Sequence, residues 1–239
     1  MLCRLDKYLC MTCKLTRQEA KQAIKKKQVS VDDVIVCKPE MKIDTTKQLV
    51  QFQGNALLYE PYIYYMLNKP AGVVSATKDN LHRTVIDLID DNVQNDLFPV
   101  GRLDIDTEGL LLITNDGELG HRLTSPAHHV DKRYEVIVNG ALDDTLIEKF
   151  ATGLDIGEEK PTLPATLTIL ETGERSRAYI TIQEGKFHQV KRMFSHCGYP
   201  VIFLKRIQMG PLILDSELAP GEYRRLSEEE VQALKDTKK

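Results

Sequence analysis

The chain has 239 residues, 42% of them hydrophobic and 28% charged, with a net charge of −3. This is an ordinary globular composition for a small module joined to a larger one, it excludes a disordered chain, and no run of about 20 apolar residues is present to span a membrane. The first residues lack the apolar segment of a secretory leader, so a cytoplasmic protein is expected, with its five cysteines (Cys3, Cys10, Cys13, Cys37, Cys197) as thiols.

Charge is spread unevenly. Residues 1–30 carry eight Lys or Arg against two Asp or Glu, and the rest carries 24 against 33. A basic end on an acidic body fits an arm that holds a polyanion, and equally a solvated helix face. A short helix is expected over 4–11, with Leu5, Tyr8 and Leu9 on one side. Thr16 and Glu19 have capping-box spacing, and a second helix should run to about Lys27 with Arg17, Lys21 and Lys25 on one face. Residues 29–31 and 34–36, around Asp32-Asp33, read as a hairpin. Residues 1–60 are therefore expected to be a separate module of two helices plus short strands, too small to be more than marginally stable alone. Residues 55–62, interrupted by Pro61, read as a linker.

Residues 61–239 read as a second domain. Strands are expected at 62–67, 72–76, 110–114, 133–138, 166–170, 178–183, 201–204 and 206–209. Helices are expected at 118–124, 143–152, 188–197 and 227–236. Hairpins outnumber long crossovers, which predicts an α+β class with a mixed, largely antiparallel sheet and flanking helices. Neither GxGxxG nor GxxxxGK[ST] occurs, so no motif supports a nucleotide cofactor, and none is expected.

Three segments carry candidate chemistry. In 99–118 (PVGRLDIDTEGLLLITNDGE) a turn with Arg102, Asp104 and Asp106 leads into an apolar strand. A carboxylate beside a fixed cation stays ionised, as a base or nucleophile requires, although the same acids would also serve as turn caps. In 132–138 a period of two puts Lys132, Tyr134, Val136 and Val138 on one face. There Tyr134 would stack on a planar base or simply fill the core. In 183–194 a strand gives way to a helix whose Val190, Met193, Phe194 and Cys197 form one buried stripe. Lys191 and Arg192 lie beside that stripe, within reach of an anion at the sheet end or on open surface.

Together these segments resemble the pseudouridine synthases, in the branch that modifies small-subunit ribosomal RNA. Residues 4–43 resemble an S4 RNA-binding domain. LNKPAG at 67–72, GRLDIDT at 101–107, SPAHH at 125–129 with Lys132 and Tyr134, GKFHQVKRMF at 185–194 and LAPGEY at 218–223 follow that family's motifs in order. The resemblance implies a cofactor-independent isomerase that flips a uridine of ribosomal RNA out of its stack, breaks its C1′–N1 bond and rejoins the base through C5. It implies Asp104 as the catalytic carboxylate, Tyr134 as the residue against the base and Lys191 as the cation paired with Asp104. Arg102 is expected to help displace the base, with Arg4, Lys7, Arg17, Lys21, Lys25, Lys132, His188 and Arg192 as further RNA contacts. Arg83, Arg122, Arg133 and Lys186 are candidate groove cations. The expected partner is ribosomal RNA, 16S in particular, free or within a 30S assembly intermediate, and the chain is expected to be a monomer. A binding protein with an idle synthase-like body, or a synthase of large-subunit RNA, is the alternative. Cys10 and Cys13 make a lone CxxC, and without a second pair no metal is expected.

Overall fold

The computed structural model describes residues 2–13, 15–45, 47–57, 62–90 and 96–237. The chain divides into two compact units, Met1–Pro61 and Tyr62–Lys239.

In the first unit, β1 (Leu2–Arg4) pairs antiparallel with β4 (Lys42–Asp44). Between them lie α1 (Leu5–Cys13), α2 (Arg17–Lys25), β2 (Val29–Val31) and β3 (Val34–Ile35). The Thr16 hydroxyl accepts from the Glu19 amide while the Glu19 carboxylate accepts from the Thr16 amide, so the capping box starts α2. Asp32 and Asp33 both have positive φ, the geometry of the tight turn that joins twisted strands. Among the described residues the expected hairpin is only part of a four-stranded sheet, because β5 (Val50–Phe52) adds to β2 and β6 (Asn55–Leu57) adds to β5. Residues 55–57 of the expected linker are thus a strand, closed by Gln53 and Gly54 at positive φ; residues 58–61 of that linker lie outside the described residues. Leu5, Tyr8, Leu9, Ile24, Val29, Ile43 and Val50 form the small core.

In the second unit, among the described residues, one sheet joins nine strands. They are β7 (Tyr64–Lys69), β8 (Phe98–Pro99), β9 (Glu108–Thr114), β10 (Lys132–Asn139), β11 (Thr166–Glu171), β12 (Arg175–Ile182), β13 (Val201–Met209), β14 (Leu212–Ile213) and β15 (Tyr223–Arg225). The order is β11-β12-β10-β13-β9-β7-β15, with β14 on β13 and β8 on β9, antiparallel except for β13 beside β9. The helices are α3 (Gly117–Thr124), α4 (Thr145–Thr152), α5 (Gln189–His196) and α6 (Glu228–Asp236).

Strand periodicity explains the two cores. Tyr65 and Leu67 on β7 and Leu111 and Ile113 on β9 face one side, where Leu146 and Phe150 of α4 and Val190, Met193 and Phe194 of α5 cover them. Tyr64, Met66, Leu110 and Leu112 face the other, under Leu119 and Leu123 of α3 and Leu234 of α6. A strand covered on both sides loses polar alternation and reads as a continuous apolar run, as at 110–113. β10 is less covered on its second side and keeps its alternation.

Two expected strands are corrected. Residues 72–76 form no strand, only an isolated bridge between Val74 and Thr84, because Pro70 and Gly72 (φ +83°) turn the chain away from the sheet. The pieces at 201–204 and 206–209 are one strand through Lys205, accommodated by register shifts against β10.

Candidate active site

The sheet register brings the motifs together. Tyr134 on β10 pairs with Arg206 on β13, and Arg206 pairs with Gly109 on β9. Three neighbouring strands thus put Tyr134 one strand away from the start of β9, directly after the GRLD turn. The close approach depends on Gly109: at φ +99° an added Cβ would run into the Arg206 backbone.

The turn holding Asp104 is fastened from behind. Lys69, fully buried at the end of β7, donates from Nζ to the carbonyl oxygens of Pro70 (3.0 Å), Asp104 (3.0 Å), Ile105 (3.3 Å) and Thr107 (2.8 Å). Burial pushes its pKa down to about 8, against the pull of Asp106 and Asp104. Ser75 donates to the Leu103 carbonyl and accepts from the Leu103 amide, and the Gly72 amide donates to the Ile105 carbonyl. Asn68 joins this frame to the LAPGEY segment: its side chain donates to the Leu218 carbonyl, and its backbone pairs with Gly221 and Glu222. The polar side chains of LNKPAG, Asn68 and Lys69, thus donate to backbone carbonyls.

On the opposite side, α5 supplies cations. Lys191 Nζ lies 3.0 Å from Asp104 Oδ2 and 2.5 Å from Asp106 Oδ1. Partial burial works against the ammonium, and the hydrogen bonds and charges of Asp106 and Asp104 outweigh it, so its pKa is raised. The Lys191 hydrogen bond in turn holds the Asp106 carboxyl below its ordinary value. His188, at the left-handed position before α5 (φ +48°), brings Nε2 to 3.5 Å from Asp104 Oδ1. The start of α5 is braced by buried Gln189, whose amide group accepts from the Lys186 amide and donates to Glu184.

Asp104, Arg102, Lys132, Tyr134, His188 and Arg206 line a cavity of about 690 Å³. That volume admits a flipped nucleotide. Tyr134 is buried in its wall, and Leu103 and Val74 supply apolar lining. A carboxylate backed by an ammonium, beside an aromatic wall, can act on the sugar or the ring of a planar base and exclude bulk water while it does so. Among the described residues no cluster of three or more His, Cys, Asp or Glu is arranged to hold a metal.

The sequence expectations meet this geometry unevenly. Asp104, Tyr134, Lys191, Lys132, Arg102 and His188 converge at one end of the sheet. The expected pairing of Arg102 with Asp104 is corrected: Arg102 is exposed and makes no ion pair with Asp104, because Leu103 between them is drawn into the core and the carboxylate turns toward α5. His188, expected as an RNA contact, lies 3.5 Å from Asp104 and lines the same cavity. Arg192 pairs with Glu158 at 2.5 Å and donates to the Ile156 and Phe187 carbonyls, so reaching a phosphate would cost it these partners. In the first unit Lys7, Arg17, Lys21 and Lys25 are exposed, whereas Arg4 is held by two hydrogen bonds to buried Asp6. Sequence reasoning missed Lys69 and Ser75 as supports of the turn, and Asp106, expected only as a turn cap, as a partner of Lys191. The Lys-Pro pair after an apolar strand was visible, but nothing local announces that the lysine turns inward.

Lys132 carries a pH prediction. Its pKa is pushed down to about 8 by burial and by Arg206, while Asp131 and Glu184 oppose the shift. RNA affinity measured at constant ionic strength is therefore expected to fall as pH rises through about 8, where the ammonium loses its charge. Lys132→Met should bind more weakly at neutral pH and lack that fall; a flat wild-type profile would remove Lys132 from the RNA contacts.

Residues 63–196 match the family described as RNA pseudouridylate synthase, and residues 3–49 match the S4 domain. The chain is 43% identical over 232 residues to ribosomal small subunit pseudouridine synthase A of Vibrio cholerae, covering 97% of this chain and 99% of that one. It is 43% identical over 235 residues to an uncharacterised RNA pseudouridine synthase of Bacillus subtilis, covering 98% of each. The Escherichia coli ribosomal small subunit pseudouridine synthase A is 42% identical over 234 residues, with 97% and 99% covered. A crystal structure of a pseudouridylate synthase has a TM-score of 0.68 at 38% identity, covering 97% of this chain and 99% of that one. Likeness of this extent, over a chain that brings an aspartate, a lysine and a tyrosine to one cavity, leaves one conclusion: this protein belongs to the RNA pseudouridylate synthase family and carries an S4 domain at its N-terminal end.

Proposed function

We propose that the chain isomerises a uridine of small-subunit (16S) ribosomal RNA to pseudouridine, with Asp104 as the catalytic carboxylate. The observation that carries this reading is the Asp104–Lys191 ion pair, 3.0 Å across, made by two separate elements at the wall of a cavity that also contains Tyr134. In the reaction C1′–N1 breaks, the uracil turns, C1′–C5 forms, and the proton leaving C5 is balanced by one gained at N1. No redox change occurs, so no cofactor is needed.

Asp104 serves as the base at C2′ or as the nucleophile at C1′ or C6. Each route consumes its negative charge, and Asp106 then remains as a counter-ion for Lys191. Tyr134 packs against the uracil and faces its C5 edge. Arg102, exposed at the cavity, helps to displace the base. The proposed partner is ribosomal RNA, free or in a small-subunit assembly intermediate, met by a monomer in the cytoplasm. The 43% identity to a relative named for the small ribosomal subunit supports that choice of RNA. Among the described residues no helix is long and apolar enough to cross a membrane.

The test is a pseudouridine map of ribosomal RNA from cells with and without the protein. One small-subunit uridine should stay unmodified only in the deletion strain, and wild-type protein added to that RNA should convert it. A large-subunit site would redirect the substrate, and identical maps would favour an RNA-binding assembly factor. The S4 unit has its own prediction. Changing Arg17, Lys21 and Lys25 together to Glu should reduce the slope of log affinity against log salt by about 2–3, at roughly 0.7–0.9 for each phosphate no longer neutralised. An unchanged slope would take this face out of RNA binding.

A further inference from the structure

We infer that Phe187 is a stacking platform for an unpaired RNA base next to the target uridine. The inference rests on the reading of the cavity as a uridine site and adds a residue to which no role has been given.

Phe187 is 72% exposed, though it lies between the buried start of α5 and the cavity. Its ring stacks on the His188 imidazole, with centroids 3.8 Å apart and planes 18° from parallel. His188 itself sits in the left-handed region at φ +48°, where histidine is enriched among non-glycine residues. That left-handed residue throws Phe187 outward while the helix core, Val190, Met193 and Phe194, stays packed. With one face on the His188 imidazole and most of its surface still exposed, Phe187 gains little from the fold. Ile105, 42% exposed, lines the same cavity.

The occupant follows from the surroundings. His188, on which Phe187 stacks, has its Nε2 3.5 Å from Asp104, so a base laid on the other face of Phe187 is separated from the proposed catalytic carboxylate by those two side chains. Arg102, Lys132, Lys186 and Arg206 line the cavity against Asp79 and Asp104, a cationic bias that suits a polyphosphate chain. A planar ring attached to a polyanion is a nucleotide, and base-on-aromatic stacking tolerates any base. The platform would keep the neighbouring base from restacking over the gap left by the flipped uridine.

The chain contains no tryptophan, so Phe187→Trp places a single indole reporter at this point. Its emission is expected to be quenched by polyuridylate and to be unchanged by inorganic polyphosphate at the same phosphate concentration, which supplies charge without bases. No response to polyuridylate, or an equal response to both, would overturn the inference. In turnover of ribosomal RNA from the deletion strain, Phe187→Leu should raise KM about tenfold with kcat retained, within the range that base–aromatic stacking supplies. Phe187→Tyr should stay close to wild type, and a Leu variant with unchanged KM would also overturn it. The fluorescence arm needs no chemistry. Quenching without pseudouridine formation would sink the enzymatic reading and leave the platform standing.

Discussion

Asp104→Asn is expected to form no measurable pseudouridine, a loss of at least about 10⁴-fold in kcat, the scale seen when a reacting group is removed from an otherwise intact site. RNA affinity should stay within about threefold of wild type, because binding draws on phosphate contacts distributed elsewhere. The fold should be indifferent. The substituted amide would keep the shape of the side chain, the turn would still be fastened through its backbone by Lys69, and Lys191 would keep Asp106 as a counter-ion. Turnover on RNA from the deletion strain and binding to the same RNA are the two measurements. An Asp104→Asn protein that converts its uridine at the wild-type rate would move the chemistry to another group, and Asp106 is the first to examine, since it shares the same ammonium.

Lys69→Met is expected to strike stability and activity together. Methionine fills the space of the lysine stem but offers no donor, so carbonyl oxygens of Pro70, Asp104, Ile105 and Thr107 lose a shared charged partner. With buried acceptors left unmet at about 1–3 kcal/mol each, and part of that recovered by relaxation and water, a net loss of about 3 kcal/mol is expected. For a unit of this size that lowers Tm by about 6–12 °C. Because the same carbonyls set the path of residues 104–107, kcat should fall by more than about tenfold even below Tm, as misplacement of a reacting group predicts.

A pH dependence separates this account from general core damage. The folded-state pKa of Lys69 is pushed down from an ordinary 10.5 to about 8 by burial. Below about 8 the ammonium is charged in both states and its burial penalty is fully present. Between about 8 and 10.5 the folded state releases its proton first, so wild-type stability should rise relative to Lys69→Met across that window. Unfolding curves of the two proteins that stay parallel from neutral to alkaline pH would show that Lys69 is not buried as a charge.

Local patterns in the chain were enough for part of this architecture. The capping box at Thr16 and Glu19, the Asp32-Asp33 turn, the period-two face of Tyr134, Val136 and Val138, and the stripe of Val190, Met193 and Phe194 are each settled within one element. Their hydrogen bonds or periodicities are closed over a few residues, so they can be read without the rest of the molecule. The Asp104 turn was recognisable for the same reason, through its linked motif.

What escaped that reading depends on partners far along the chain. The strands Leu2–Arg4 and Lys42–Asp44 exist only because they find each other, and residues 72–76 look extended but are denied a neighbour. The cation beside Asp104 was expected through the family resemblance alone, because it comes from a helix 87 residues later, while Arg102, two residues away, faces outward. Lys69 is a surface residue by type and a fully buried one in fact, because several carbonyl oxygens of two separated segments converge on it. Sequence alone decided which residue types and short motifs are present, since those rest on local backbone preferences. The distances that make them a site were decided by sheet register and helix packing, because electrostatic and hydrogen-bond energies act through space and are blind to separation along the chain.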